Sequence, residues 1–158
     1  MRVAFFAGTF DPITTGHVDI VSRALSVFDR VVVGIGVNAA KTTLFSLAER
    51  KEMLRSVFSR YNQVSIVDYQ GLTVSAAIQH SCTHLLRGIR TIADFEYEKS
   101  ICELNHHQNP QIETVFLLST HQFGFISSTH VRDLIRHGGN IFGLIPDEVL
   151  PYLKPVNP

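Results

Sequence analysis

The sequence contains no tryptophan, only two cysteines and no long apolar run. Cys82 and Cys102 lack a Cys-x-x-Cys spacing, so reduced thiols are predicted in place of a disulfide framework or a zinc site. No uninterrupted apolar stretch approaches the roughly 20 residues that a bilayer-spanning helix needs. The short run Phe5 to Ala7 enters a turn, which is not typical of a signal peptide. These absences predict a cytoplasmic protein with no membrane partner.

An excess of one charge sign is also missing. The 158 residues include 14 Lys and Arg and 14 Asp and Glu, and the pI is about 7.1. Proteins dedicated to nucleic-acid binding usually carry a basic excess, so no nucleic-acid partner is predicted and any anion site must be local. The length predicts one domain over residues 1–158, with a frayed tail at Val156, Asn157 and Pro158.

Apolar runs alternate with amphipathic stretches along the chain. Strands are predicted at residues 2–7, 30–37, 64–68, 84–87 and 114–118, and helices at 16–28, 47–60, 73–80, 93–107 and 128–137. A capping box at Ser46 to Glu49 marks one helix start, and a short helix interrupted by Pro151 is expected within residues 146–153. Strands with little alternation are typical of a sheet covered on both faces. We predict a doubly wound α/β fold with a five-stranded parallel sheet, whose ligands bind beyond the carboxyl ends of the strands.

The most informative segment follows the first predicted strand and reads Gly8-Thr9-Phe10-Asp11-Pro12-Ile13-Thr14-Thr15-Gly16-His17. Gly8 can adopt backbone angles that other residues avoid, and Asp11-Pro12 favours a turn. The helix that begins next would aim free N–H groups and the positive end of its dipole at a phosphate. An imidazole at His17 can donate a hydrogen bond to a phosphoryl oxygen or carry a positive charge beside it. Taken alone, the segment also fits an ordinary βα turn.

Residue types that bind phosphate follow three other predicted strands. Asn38-Ala39-Ala40-Lys41 follows the second, Arg87-Gly88-Ile89-Arg90 follows the fourth, and Phe125-Ile126-Ser127-Ser128-Thr129-His130-Val131-Arg132 comes after the fifth. Arginine offers a planar fork of donors and lysine a compact mobile charge. The alternatives are that the two arginines are solvated or pair with Asp94, Glu96 or Glu98, and that the serines only cap a helix.

Together these segments resemble a known family. Residues 14–17 resemble the T-x-G-H form of the nucleotidyltransferase signature, residues 87–98 resemble R-G-[LI]-R-x-x-x-D-[FY]-E-[YF]-E, and residues 126–132 resemble I-S-S-T-x-x-R. The combination is similar to the phosphopantetheine adenylyltransferases of bacterial coenzyme A synthesis. It implies a Rossmann-like nucleotidyltransferase fold that transfers the adenylyl group of ATP to 4′-phosphopantetheine, giving dephospho-coenzyme A and pyrophosphate. The attack is expected to be in-line, without a covalent enzyme intermediate.

The resemblance also implies roles for individual residues. The expected catalytic residues are His17, Lys41 and Arg90, with His17 as the transition-state stabiliser. Phosphopantetheine is expected to contact Thr9, Lys41, Thr73 and Arg87. ATP is expected to contact Thr9, Phe10, His17, Gly88, Ile89, Arg90, Glu98, Phe123, Gly124, Phe125, Ile126, Ser127, Ser128 and Thr129. Further implications are Mg²⁺ on the triphosphate without assigned protein ligands, a homohexamer, and coenzyme A as a feedback inhibitor.

Two departures from the family pattern and two alternatives remain. Thr42-Thr43 stands where Lys-Pro or a similar pair commonly follows the lysine, and Thr73 is smaller than the usual apolar residue. A related nucleotidyltransferase could instead act on nicotinate mononucleotide or a phosphorylated alcohol. A regulatory module could bind ATP without turnover, because a fold does not by itself fix a function.

Overall fold

The computed structural model describes residues 1–153, so the tail predicted at Val156 to Pro158 lies outside the described residues. The elements are β1 (Val3–Gly8), α1 (Thr15–Ala24), β2 (Arg30–Gly36), α2 (Leu47–Val57), β3 (Val64–Tyr69), α3 (Thr73–Gln79), β4 (His84–Ile89), α4 (Ile92–Gln108), β5 (Glu113–Leu118) and α5 (Ser128–Arg136), with 3₁₀ helices at His121–Phe123 and Asp147–Tyr152. All five predicted strands and all five predicted long helices are confirmed. The expected short helix before the tail is the second 3₁₀ helix, with Pro151 inside it.

The five strands form one parallel sheet in the order β3-β2-β1-β4-β5. From β1 the chain first winds outward through β2 and β3, and then returns to the other side of β1 as β4. The strand order therefore reverses between β1 and β4, which is the point where ligands bind in open α/β sheets. In register, Phe5 of β1 lies opposite Val32 of β2 and Leu85 of β4.

Successive residues of β1 pack into different halves of the core. Ala4 and Phe6 belong to a cluster with the buried faces of α1, α2 and α5. Phe5 and Ala7 belong to a second cluster with α3. Helices thus cover both faces of the sheet, which confirms the doubly wound α/β prediction. None of the helices in the described part of the chain is long and apolar enough to cross a bilayer.

Two helices end earlier than their apolar pattern predicts. The first was expected to reach residue 28 but ends at Ala24, and the second was expected to reach residue 60 but ends at Val57. In each case a buried phenylalanine, Phe28 or Phe58, continues the apolar spacing after the helix has ended. The N-terminus of α2 follows prediction, because the Ser46 hydroxyl accepts from the Glu49 N–H while the Glu49 carboxylate accepts from the Ser46 N–H.

Candidate active site

Three adjoining cavities open at the reversal point of the sheet. The β2-side cavity, about 350 Å³, is lined by residues that include Thr9, Lys41, Tyr69, Thr73 and Arg87. The β4-side cavity, about 280 Å³, includes His17, Arg87, Gly88, Arg90, Glu98, Phe123 and residues 126–129 in its walls. The loop cavity, about 460 Å³, lies between residues 8–14 at the end of β1, which we call the β1 loop, residues 41–43 and the start of α5.

Residues on shared walls connect the three cavities. Arg87 borders both the β2-side and β4-side cavities, Lys41 borders the β2-side and loop cavities, and His17 borders the β4-side and loop cavities. Thr9 borders the same two cavities as Lys41, and Ser128 and Thr129 border the same two cavities as His17. The segments that the sequence predicted to bind phosphate are therefore brought together by the fold, although they come from four parts of the chain.

Four predicted contact residues occupy other positions. Phe10 borders only the loop cavity of the three, while Ile89, Gly124 and Phe125 border none of them. Ile89 is buried in the core and the ring of Phe125 is largely exposed. The roles given to these residues remain predictions.

Gly8 is needed in the β1 loop for a reason other than the predicted one. Its backbone does not use the left-handed region; the residue that does is Phe10, with φ 48°. A Cβ on Gly8 would lie 2.9 Å from the Phe10 ring. The expectation of unusual backbone angles at Gly8 was wrong, because the loop turns at Phe10 and folds its ring back over the glycine.

The imidazole of His17 is held in one orientation at the start of α1. Thr14 caps the helix, and its backbone N–H donates to Nδ1 of His17 at 3.1 Å. The Thr14 hydroxyl also lies 2.9 Å from that nitrogen, and the Phe10 ring packs edge-on against the imidazole with centroids 5.1 Å apart. Since Nδ1 accepts a backbone N–H, a neutral ring must carry its proton on Nε2.

The ring of His17 is neutral near pH 7. Burial, followed by the positive charges of Arg90 and Arg87, lowers the pKa of His17 from 6.5 to about 4. Of the two roles that the sequence left open, the geometry therefore favours the neutral hydrogen-bond donor over the imidazolium. Nε2–H is the group that His17 can offer to an anion between the cavities.

The guanidinium of Arg87 is fixed on three sides. Nε donates to Oε2 of Glu98 at 2.7 Å, Nη2 donates to Oε1 of the same carboxylate, and Nη1 donates to the Ala7 carbonyl at 2.8 Å. Each terminal nitrogen retains a second N–H that this arrangement leaves for another acceptor. Arg87 thus places a fixed positive charge in the wall between the β2-side and β4-side cavities.

Arg90 is held in a similar way by α4 and the loop before α5. Nε and Nη2 donate to the two oxygens of Asp94 at 2.9 and 3.2 Å, and Nη1 donates to the Ile126 carbonyl at 3.2 Å. Burial opposes ionisation of Asp94, but the hydrogen bonds and charge of Arg90 outweigh it and lower the pKa of that carboxyl. The alternative pairing of the two arginines is confirmed for Asp94 and Glu98, and Arg87, Arg90 and Glu98 line the β4-side cavity.

Several residues in the walls were not predicted from the sequence. Tyr97, Ile101 and Asn105 line the β2-side cavity from one face of α4. Their spacing of four residues is the signal that could have found them. The Tyr69 hydroxyl lies 2.9 Å from that of Thr73, so the departure from an apolar residue at this position places two hydroxyls in the cavity. Within residues 1–153, no group of three His, Cys, Asp or Glu side chains could hold a metal ion.

The sequence of this chain is similar to those of known proteins over nearly its full length. The profile of the cytidylyltransferase-like family matches residues 5–134. The phosphopantetheine adenylyltransferase of Flavobacterium johnsoniae is 48% identical over 149 residues, which cover 94% of this chain and 97% of that protein. The chain belongs to the phosphopantetheine adenylyltransferase family. The family's members from Flavobacterium psychrophilum and Moorella thermoacetica are each 44% identical over 149 residues, covering 94% of this chain and 98% and 93% of theirs.

Membership of the phosphopantetheine adenylyltransferase family confirms the resemblance drawn from the motifs. The matched residues 5–134 contain the β1 loop, the Lys41 loop, the Arg87 to Glu98 segment and the start of α5. All the walls of the β4-side and loop cavities lie within this region.

The lowered pKa of His17 predicts a pH dependence of stability. Between pH 6.5 and about 4 the unfolded chain binds a proton at this ring that the folded chain excludes, so the free energy of unfolding falls as the pH falls through this interval. Asp68 and Asp94, whose pKa values are lowered from 3.8, lose their stabilising contribution mainly below that value.

Urea unfolding at pH 7.5 and pH 4.5 measures this dependence. We expect the wild type to lose about 2 kcal/mol more than His17→Gln between the two conditions, because the variant lacks the titrating ring. Equal losses in both proteins would contradict the neutral state of His17.

Proposed function

We propose that this protein transfers the adenylyl group of ATP to 4′-phosphopantetheine, releasing pyrophosphate and forming dephospho-coenzyme A. The observation that carries the proposal is the pair of cavities separated by Arg87, with Lys41 and Thr9 where the β2-side cavity meets the loop cavity and His17 where the β4-side cavity meets it. Two phosphorylated substrates that occupy these cavities would bring their phosphates together at the carboxyl ends of β1 and β4.

The β2-side cavity suits the pantetheine arm. Tyr97 and Ile101 provide apolar surface, and the hydroxyls of Tyr69 and Thr73 provide polar partners for its amides and terminal groups. Lys41, Thr9 and Arg87 at the other end would hold its phosphate. ATP would lie in the β4-side cavity, with its phosphates towards the N-terminus of α5, where Ser127 and Thr129 offer hydroxyls and Ser128 and Thr129 offer N–H groups.

In the reaction, a phosphate oxygen of phosphopantetheine would attack the α-phosphorus of ATP. One P–O bond forms to the acceptor and one breaks towards pyrophosphate, so the protein contributes no nucleophile. Negative charge on the transferring group would be stabilised by Nε2–H of His17 and by the charges of Lys41 and Arg90. The main work of the protein is to align two polyanions.

Magnesium would enter with ATP, held by oxygens of the triphosphate. The carboxylates nearest the cavities already have partners: Glu98 binds Arg87, Asp94 binds Arg90, and Asp11 binds backbone N–H groups. This donor set does not form a protein cage for the ion. The ion supplies charge neutralisation for the pyrophosphate that leaves.

Pyrophosphate release from ATP and magnesium tests the proposal. 4′-Phosphopantetheine, nicotinate mononucleotide and phosphocholine are offered in parallel, and the product is identified by mass. We expect release with phosphopantetheine alone, together with dephospho-coenzyme A. Release with another acceptor would reassign the substrate, and ATP binding without release on any acceptor would favour the regulatory module.

Arg87→Lys is expected to raise the KM for phosphopantetheine by about 10-fold or more, since lysine loses the fork that holds the side chain between Glu98 and Ala7. Steady-state kinetics with each substrate varied in turn measure the effect, and the KM for ATP should change much less. Arg55→Lys is the control, because Arg55 is an exposed residue of α2. A larger change in the KM for ATP would move Arg87 to the nucleotide side.

We further propose that the protein is a cytoplasmic homohexamer inhibited by coenzyme A. Helix α4 contributes no buried residue, and Leu104 on it is 61% exposed. Leu118, on the edge strand β5, is 69% exposed. Second copies of the chain would cover this apolar surface. Coenzyme A would inhibit because its pantetheine arm competes with the substrate for the β2-side cavity. Light scattering should give six times 17.7 kDa, and Leu104→Glu should reduce that mass.

A further inference from the structure

Asp11 is a buried carboxylate that the proposed reaction does not use. It is 2% exposed, and both of its oxygens accept backbone N–H groups from a distant loop. Oδ1 accepts from Phe45 at 2.9 Å and Oδ2 accepts from Leu44 at 2.8 Å. These two residues end the loop that carries Lys41 between β2 and α2. A charged carboxylate in this position binds the loop more strongly than a neutral acceptor would.

Arg50 ties the same loop to the β1 loop from the opposite side. It is 5% exposed, on α2. Its Nη1 donates to the carbonyl of Thr9 at 2.7 Å, and its Nε donates to the carbonyl of Phe45 at 3.2 Å. A buried guanidinium is retained at a cost in desolvation, and here its donors serve backbone carbonyls of the two loops. We call Asp11 and Arg50 the loop brace.

The loop brace connects the two residues that the β2-side and loop cavities share at their junction. Thr9 and Lys41 line both cavities. Residues 38–42 are exposed, and the loop's own contacts near Lys41 are a turn in which Asn38 accepts from the N–H groups of Ala40 and Lys41. The position of Lys41 relative to Thr9 therefore depends on the anchoring of residues 44 and 45.

A third side chain extends the network to α5. Nη1 of Arg132 donates to the backbone carbonyl of Asp11 at 2.7 Å, and its Nη2 donates to the Thr129 hydroxyl at 3.1 Å. Thr129 borders the β4-side and loop cavities. The backbone at Asp11 is thus fixed relative to the proposed ATP site as well as to the Lys41 loop.

We propose that Asp11 and Arg50 are positioning residues for adenylyl transfer, which hold Lys41 and Thr9 in register across the junction of the two cavities. This inference rests on the proposed function for the reaction, and on the hydrogen bonds above for the brace itself. Asp11→Asn replaces one oxygen by an NH₂ group, which cannot accept from a backbone N–H, so one of the two anchors is lost. Arg50→Lys keeps the charge but cannot reach both carbonyls with a fixed fork.

A double-mutant cycle on kcat separates positioning of Lys41 from general structural support. Misplacement of a reacting group by about 1 Å can cost about 100-fold in rate, and we expect a loss of this order for Asp11→Asn in the wild-type background. In the Lys41→Ala background the same substitution should cost less than about 3-fold, because the group it positions is gone. Equal losses in both backgrounds would overturn the proposal. Arg50→Lys should behave like Asp11→Asn with a smaller loss.

The matched control is Asp29→Asn. Asp29 also accepts a backbone N–H, that of Arg2 at 2.6 Å, but it lies beside the start of β2, away from the cavities. It should leave kcat unchanged in both backgrounds.

Amide hydrogen exchange tests the brace without turnover. Asp11→Asn should speed exchange at Leu44 and Phe45 while the amides of β1 and β2 keep their protection. If the wild-type protein shows no turnover, the proposed function is refuted. The exchange rates of Leu44 and Phe45 would then still test whether Asp11 anchors the loop. Faster exchange confined to the loop would support it, and unchanged exchange would overturn it.

Discussion

His17→Ala is expected to lower kcat by about a hundredfold to a thousandfold, which is the usual effect of removing one preorganised donor from a developing negative charge. The donor is defined by the structure. Nδ1 accepts from the Thr14 N–H, so the proton of the neutral ring lies on Nε2, and His17 borders both the β4-side and loop cavities. Alanine removes this N–H without disturbing Arg87 or Arg90.

Folding should be affected much less than turnover. The substitution removes one side of a capping box at α1, and such caps contribute about 1 kcal/mol. Thermal unfolding and kcat measured on the same samples distinguish the two effects. His137→Ala is the control, because His137 is an exposed histidine at the end of α5.

A second substitution tests whether His17 acts as a neutral hydrogen-bond donor or as a positive charge. His17→Gln places a neutral amide donor in the same region, and it should retain more activity than His17→Ala. Activity equal to wild type in His17→Ala would remove the residue from the mechanism. A kcat that falls as the pH rises through 6.5, in the wild type but not in His17→Gln, would show that the imidazolium is the active form.

The features that could be predicted from the sequence are those that local geometry decides. Ser46 and Glu49 lie within one helical turn, so their capping box follows from their spacing alone. The loops after β1, β2 and β4 could be placed together because the carboxyl ends of parallel strands meet at one edge of the sheet.

Features that depend on distant partners could not be predicted. Asp11 was identified as part of a turn, but the N–H groups it binds belong to residues 33 and 34 positions further along the chain. Arg50 lies in a helical pattern where an arginine is typical of a solvated face, and only the packing of α2 against the β1 loop buries it. The neutral state of His17 also depends on the tertiary structure, because its pKa is lowered mainly by burial and then by two arginines from β4 and the loop after it.

Gly34→Ala is expected to destabilise the protein and to impair the β2-side cavity at the same time. A Cβ at this position would lie 2.3 Å from Cζ and 2.7 Å from Cε1 of Phe5. Phe5 is fully buried, packs edge-on against Tyr69 with ring centroids 5.4 Å apart, and lines the β2-side cavity. Overpacking of this kind costs about 1–3 kcal/mol, and we expect the ring to be displaced towards that cavity.

The expected change in KM follows from the position of Phe5 in the wall of the β2-side cavity. A displaced ring narrows the proposed pantetheine site, so the KM for phosphopantetheine should rise while the KM for ATP stays close to its wild-type value. Urea unfolding and kinetics with each substrate varied in turn measure the two effects. Gly36→Ala is the control for stability, since its Cβ would lie 3.4 Å from the Tyr69 hydroxyl, on the same face of β2. Loss of stability with both KM values unchanged would mean that the ring moves into the core, and that Phe5 does not shape the acceptor site.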